Sequence, residues 1–226
     1  MTDRQRAIPA LSRLPTSTRR AGDRLRMSQA ILIAATLVGF TLFASVGAAD
    51  SRHERLAKGE TLTFSSPVKG SDVPRVGIDF VVDIAPATMW KIIDECGSYH
   101  RTMPRIYKSR EIARKGSVVT CETWVDMPFP ISNLHAVSRA IHTKSATRFS
   151  RAWDLVEGTY VHNKGSWELT PFDEAGKRTL VVYRIHAVPD SAVPDSLIRL
   201  AQTRTLPSLA VRMREEAAKL AGSSPR

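Results

Sequence analysis

The sequence predicts an α+β domain. Its core is a curved antiparallel sheet of about six to seven strands wrapped round one long C-terminal helix, with two short helices after the first strand. Three observations carry this. A period-two strand pattern over 76–84 runs straight into a Pro-started helix. Six strand-like segments follow with short connections, the order of an antiparallel meander. The chain then closes on a stretch whose apolar residues recur every three or four positions.

Val76, Ile78, Phe80, Val82 and Ile84 alternate with Gly77, Asp79, Val81 and Asp83, which predicts a strand with one buried face. Pro86 suits the first turn of a helix, where its missing N–H costs nothing. Met89, Trp90, Ile92 and Ile93 supply that helix's apolar stripe, and Gly97 ends it. Ser98 caps a second short helix holding Tyr99 and Met103, which Pro104 stops. Strands are expected over 106–113, 117–126, 134–142, 147–156, 160–170 and 179–188. Turn residues separate them: Arg114-Lys115-Gly116, a bend at Met127-Pro128-Phe129-Pro130, Thr143-Lys144-Ser145, Glu157-Gly158, and a loop over 171–176. Residues 189–194 form a linker, and Ser191 or Asp195 caps the final helix. Ile198, Ala201, Thr205, Leu209, Met213, Ala217 and Leu220 share one face of it, and Pro207 is expected to kink it.

Residues 28–49 bear on the compartment. Arginines precede an apolar run over 30–43, and small residues follow over 44–49, the three-part pattern of a secretory signal. Met27 then stands as an alternative start. The rival is an uncleaved anchor, since the run to Ala49 is about the length that spans a bilayer. Both place the folded part across the membrane, because the arginines stay on the cytoplasmic side. The expected organisation is a signal peptide or N-terminal anchor over 1–49, a lead-in over 50–75, the main domain over 76–221 and a frayed tail over 222–226. Within the lead-in, 51–58 reads as a helical turn and 61–64 as a short strand, with Pro67, Gly70, Ser71 and Pro74 marking loops.

The 226 residues carry a net charge of +11, unevenly placed. Residues 1–49 hold seven arginines and two aspartates, leaving 26 basic and 20 acidic residues elsewhere. That modest excess reads as a solvated basic surface, with weak attraction to anionic membranes as the second reading. No finger spacing, RNP-type aromatic motif or dense basic run points to nucleic acid. Cys96 and Cys121 are two buried small side chains or, in an oxidising compartment, a disulfide. The oligomeric state is not written in the sequence.

Ile84-Ala85-Pro86 with Trp90 and Asp94, then Tyr99 and Met103-Pro104, resembles the opening of the StAR-related lipid-transfer (START) superfamily. Gly158-Thr159-Tyr160 running on to Gly165-Ser166-Trp167-Glu168-Leu169-Thr170-Pro171 resembles it too. The bacterial polyketide cyclase/dehydrase and lipid-transport group, which includes coenzyme Q-binding proteins, is the most similar branch. The resemblance covers roughly residues 60–221. It implies the helix-grip fold and a hydrophobic ligand (lipid, sterol, quinone or polyketide) held between sheet and long helix. Most members are not enzymes; some are aromatase/cyclases.

Alternation assigns inward faces to Phe80 and Val82; to Phe149, Arg151, Trp153 and Leu155; to Val161, Asn163, Trp167 and Leu169; and to Val181, Tyr183 and Ile185. The segments 117–126 and 134–142 mix polar and apolar residues on both faces, and a one-residue slip inverts any assignment. Arg151 stands out, because a charge between Phe149 and Trp153 must find a partner or water. It is either an anchor for a ligand's polar head or a structural or surface arginine. Asn163 and Tyr183 offer hydrogen bonds on the same side, and Trp153 and Trp167 are cavity wall or core. In the family resembled, the helix pair carrying Trp90, Tyr99 and Met103 borders the cavity mouth. With Phe149 and the helix residues Leu209 and Met213 these complete the candidate ligand-binding set. No catalytic residue, metal or cofactor is implied: His135 and His142 fall on opposite strand faces, Glu122 and Asp126 read as solvent-facing, and no nucleophile elbow, phosphate loop or HExxH occurs. Three readings follow: an exported carrier of a hydrophobic molecule, a cyclase using Arg151 or His162, or an interaction module whose aromatics plug the interior.

Overall fold

A computed structural model describes residues 51–129, 131–191, 194 and 200–222. The expected signal or anchor over 28–49, the Ser191/Asp195 cap as far as it concerns 195–199, Ile198 and the tail over 223–226 lie outside the described residues.

The described residues open with helix α1 (51–57), followed by β1 (Leu62–Val68) and β2 (Ser71–Val82). Helix α2 (Pro86–Asp94), a single tight turn (Cys96–Ser98) and helix α3 (Tyr99–Thr102) come next. Six strands follow: β3 (Ile106–Lys115), β4 (Val118–Val125), β5 (Leu134–Lys144), β6 (Phe149–Gly158), β7 (Tyr160–Pro171) and β8 (Thr179–Pro189). A wide π-type turn (Ala201–Thr205) leads into helix α4 (Leu206–Gly222).

All strands join one antiparallel sheet in the order β1-β2-β8-β7-β6-β5-β4-β3. Strands β3 to β8 are the expected meander, and β2, paired with β1 on one side, closes onto β8 rather than β3 on the other. The count of eight exceeds the expected six to seven because the short strand expected at 61–64 is a full edge strand. Pro67 and Pro74, expected in loops, sit within β1 and β2. The β1–β2 register breaks between Ser66 and Val68, so the prolines fall where no regular ladder bond is required. At the opposite edge, Gly116 takes a φ of +59° in the two-residue β3–β4 turn.

Two further expectations are corrected. Strand β2 is buried on both faces from Gly77 to Val82. Its outer face lies under α1, where Leu56 packs with Leu62 and Val81, with Phe172 and Leu180 alongside. This second layer buries Asp79 to 1% exposure. Arg52 donates to Asp79 Oδ2 at 2.5 and 3.0 Å. Arg184 Nη1 lies 2.6 Å from Oδ1 but aims its hydrogens at the Ile78 and Tyr183 carbonyls, so that contact is ionic without hydrogen-bond alignment. The second correction concerns Val161, expected inward but exposed. The β7–β8 register slips between Tyr160 and His162, and this bulge turns Val161 outward.

Local chemistry places the helices. Ser98 precedes α3 as expected, yet its hydroxyl accepts from Arg101 Nη2 at 2.6 Å instead of capping a backbone N–H. Pro207 does not kink α4 midway. It falls in the helix's first turn, and the chain just before it widens into the π-type turn, because proline cannot donate four residues back and its ring crowds that carbonyl. Helix α4 lies on the concave face, burying Leu206, Leu209, Ala210, Met213 and Ala217. Arg214 ties it down by donating to the carbonyls of Val81 and Gly59 and to Thr61 Oγ1, each at 3.1 Å.

Replacing Asp79 strands two arginines, both able to reach water. Asp79→Ala is therefore expected to lower stability by about 2–3 kcal/mol, below the full cost of orphaning a deeply buried charge. The shift of the urea midpoint measures it.

Candidate functional site: a half-hollow grip

The interior divides along the strand direction. One cross-strand row contains Ile78, Tyr183, Trp167, Arg151 and His142, matched by register across β2, β8, β7, β6 and β5. On one side of this row large residues fill the space: Phe80, Val181, Leu169 and Phe149 beneath Met89, Ile93 and Met213. On the other side small residues recur. Gly165 and Ala140 flank Trp153 in one row, and Ala187 and Ser138 stand further out. Missing side-chain volume on a concave wall leaves a void where the helix cannot descend to fill it. A cavity of about 330 Å³ results.

Its walls come from β2 (Val76), β4 (Thr123, Val125), β8 (Ile185, Ala187) and α4 (Leu206, Leu209), with Met127 and Pro128 of the β4–β5 bend at the rim. Arg105 also lines it, at a φ of +65° that is costly for a residue with a side chain. Two bonds hold that backbone: Arg105 Nε donates to the Asp126 carbonyl, and the Asp126 N–H donates to the Arg105 carbonyl, both at 2.8 Å.

Of the candidate ligand-binding set, Tyr99, Met103, Arg151, Trp153, Asn163, Trp167, Tyr183 and Leu209 all line this cavity. Trp90, Phe149 and Met213 do not. Trp90 stacks on Phe149 at 5.7 Å and meets His142 edge-on at 5.1 Å, so both rings belong to the packed half. Met213 lies one helical turn beyond Leu209, over that same half. Sequence alternation finds the inward face but not the depth along it. The continuous void leaves the plugged-interior reading without support.

Trp167, Tyr183 and Trp153 form an aromatic wall, with ring centroids 4.4 and 6.0 Å apart. Gly165 makes it possible: a Cβ there would overlap the Trp153 ring and the Arg184 carbonyl. Trp153 Nε1 donates to Asn163 Oδ1 at 3.0 Å, which commits that oxygen to the wall. Burial raises the Tyr183 and Tyr99 phenols, keeping both neutral, and Tyr99 donates to the Ile93 carbonyl at 2.6 Å.

The polar group at the end of the cavity is Arg151, 3% exposed. Its Nη2 donates to Cys121 Sγ at 3.1 Å, and its plane lies 5.5 Å from the Tyr99 ring centre. Its Nη1 lies 2.7 Å from His142 Nε2. A guanidinium only donates, so Nε2 must be bare and the proton sits on Nδ1. Nδ1 then donates to Asp94 Oδ1 at 2.8 Å. Asp94, the last residue of α2, also takes Arg114 Nη1 at 2.9 Å and has Lys144 at 3.8 Å. Burial pushes its carboxyl up, but the Arg114 hydrogen bond and the charges of Arg114 and Lys144 outweigh this and hold it low. Burial and the Arg151 charge, against the opposing pull of Asp94, push His142 down to about 4. His142 is therefore a neutral acceptor that carries no share of Arg151's charge.

A disulfide joins Cys96 to Cys121, pinning the turn after α2 to the cavity face of β4. His142, Asp94 and Ser138 escaped the sequence reading as site residues. The signal for two of them was present: Leu134, Ala136, Ser138, Ala140 and His142 occupy one face of β5, three small residues bounded by a leucine and a single imidazole. Glu122 was read as solvent-facing; it lies on the outer face but is covered by Arg110 and by His135 Nε2 at 2.9 Å. His162 is exposed and lies off the cavity.

A sheet gripping a long helix over a half-hollow interior defines the helix-grip fold. The chain belongs to the polyketide cyclase/dehydrase and lipid-transport family, whose profile matches residues 82–214. The fold is shared with a STAR-related lipid transfer protein of Xanthomonas axonopodis (18% identity, TM-score 0.61, covering 70% of this chain and 93% of that one). Human StAR-related lipid transfer protein 5 is similar at 10% identity and a TM-score of 0.61, covering 81% and 98%. The Zhui aromatase/cyclase of a Streptomyces species follows at 16% identity and 0.52, covering 65% and 94%. No curated protein sequence matches.

Two outcomes are expected. Replacing both Cys96 and Cys121 by Ser should cost about 3.5 kcal/mol of stability, the chain-entropy value for a loop of this size, read by denaturant unfolding. Because the folded pKa of His142 lies below its unfolded value, the unfolded state binds more protons between about pH 4 and 6.5. Stability should therefore fall as pH drops through that window, by no more than ~1.4 kcal/mol per pH unit from this group. His142→Gln should flatten the profile there.

Proposed function

We propose that the chain binds a hydrophobic small molecule (a lipid, quinone or sterol-like compound) in this cavity, and shuttles it outside the cytoplasm. The single observation that carries the proposal is the 330 Å³ void, walled by aliphatic and aromatic side chains that include Leu206 and Leu209 of α4. Burying a ligand's apolar surface there gains ~25 cal/mol per Å², and such a ligand needs shielding in an aqueous phase. The volume sits at the small end of ligand pockets, which favours a compact or single-chain molecule. Export is supported by the basic-flanked apolar run over 30–43 and by the Cys96–Cys121 disulfide, a bond suited to oxidising compartments. Contact with a membrane surface belongs to the same proposal. Phe129, 97% exposed, offers an apolar tip beside Met127 and Pro128 at the cavity rim.

Aromatase/cyclase chemistry is the second reading, favoured by one observation: the Asp94–His142–Arg151 chain ends on the cavity. Of its two expected residues only Arg151 reaches that space, His162 being off the cavity.

Protein isolated from its own envelope should carry an organic-extractable ligand in native mass spectrometry. Ala187→Trp, which places an indole in existing empty space, should cut uptake about tenfold or more while leaving the fold intact by circular dichroism. Absence of ligand together with failure to take up any lipid or quinone would overturn the carrier role.

A further inference from the structure

We propose that the ligand is a single-chain acid of medium length, and that Arg151 binds its carboxylate at the inner end of the cavity. This rests on the carrier reading above and narrows it from hydrophobic molecules in general to one head group and one size.

The argument begins with charge. Among the described residues, the buried carboxylates have cationic partners: Asp79 sits between Arg52 and Arg184, and Glu122 pairs with Arg110; half-buried Asp94 likewise takes Arg114 and Lys144. Arg151 differs. Its hydrogen-bond partners are a bare imidazole nitrogen and a disulfide sulfur, both uncharged, and among the described residues no carboxylate pairs with it. A cation held this way is fixed in place but not neutralised, and an uncompensated charge in an apolar site is costly. An incoming anion recovers that cost; a neutral head group offers only a hydrogen bond.

Geometry selects the anion. A guanidinium has five N–H donors, of which two are used here, and its planar fork matches a carboxylate with two parallel bonds. Ser138 adds a donor nearby. It stands opposite Cys121 in the β4–β5 register, lines the cavity, and its hydroxyl has no hydrogen-bond partner among the described residues. The aliphatic part of the wall (Ile185, Leu206, Leu209) and the aromatic one suit a hydrocarbon tail. The size follows from volume. At about 330 Å³ the cavity lies at the small end of the range for ligand pockets, which favours one hydrocarbon chain over two.

The test is displacement of Nile red, a neutral apolar dye, from the full chain at near-neutral pH and low salt. The competitors share one tail: decanoate, decanol, decylamine and decyl phosphate. Decanoate is expected to bind at least about tenfold more tightly than decanol, with decylamine weakest. In Arg151→Gln the preference for decanoate over decanol should fall to about one. Arg151→Lys, which keeps the charge but loses the fork, should retain part of it. Should the Gln variant fail to fold by circular dichroism, the wild-type head-group series and the Lys variant decide. Equal binding of decanoate and decanol, or tighter binding of decyl phosphate than of decanoate, overturns the acid proposal while Nile red binding keeps the carrier reading. Failure of the dye and of every alkyl competitor removes both.

Discussion

A guanidinium buried at the boundary between a packed and a hollow half sets the terms for the rest of this interior. Arg151 must stay hydrogen-bonded, because an unsatisfied charge there would unfold its surroundings. Three separate elements converge to hold it: α2 through Asp94, β5 through His142, and β4 through Cys121. The surface charges Arg114 and Lys144 keep Asp94 ionised, Asp94 fixes the imidazole tautomer, and the imidazole presents a lone pair to the arginine. The disulfide fastens two of those elements together, so the support resists deformation when the cavity fills. Packing on one side and emptiness on the other then follow from residue size along the same strands.

Most of the architecture was legible in the sequence, because strand alternation, Pro86 and the α4 stripe are local signals. The sites of disagreement are those where a distant element overrides local pattern. Strand β2 reads as one-sided, yet α1, separated from it by β1, covers its second face. Val161 reads as inward until a bulge shifts its phase. Eight of the eleven candidate site residues reach the cavity, since inward direction is periodic and hence readable. Depth is not periodic. Whether an inward aromatic meets a void or another ring depends on the sizes of residues on neighbouring strands, which is why Trp90 and Phe149 were misplaced. The Asp94–His142–Arg151 chain was invisible for the same reason: its members are brought together only by register and by the packing of α2.

The family shares this grip at sequence identities of 10–18% with solved structures. Such tolerance is understandable in a fold whose sheet needs only antiparallel ladders and whose helix needs one apolar face. The hollow half is then free to vary, because a void imposes no jigsaw constraint on the residues that border it. The packed half, with Phe80, Leu169 and Met213 fully buried, carries the demand for complementarity.

The two outer strands bear on behaviour in a crowded solution. Among the described residues the eight-stranded sheet has two unpaired borders, each a template on which a foreign strand could grow. Pro67 removes a donor from one border and breaks its spacing. The other, β3, is irregular at two places and carries Lys108, Arg110, Arg114 and Lys115, so an approaching copy meets repulsion and a mismatched ladder. A sheet left open to grip its helix thus keeps both borders hostile to amyloid-like extension.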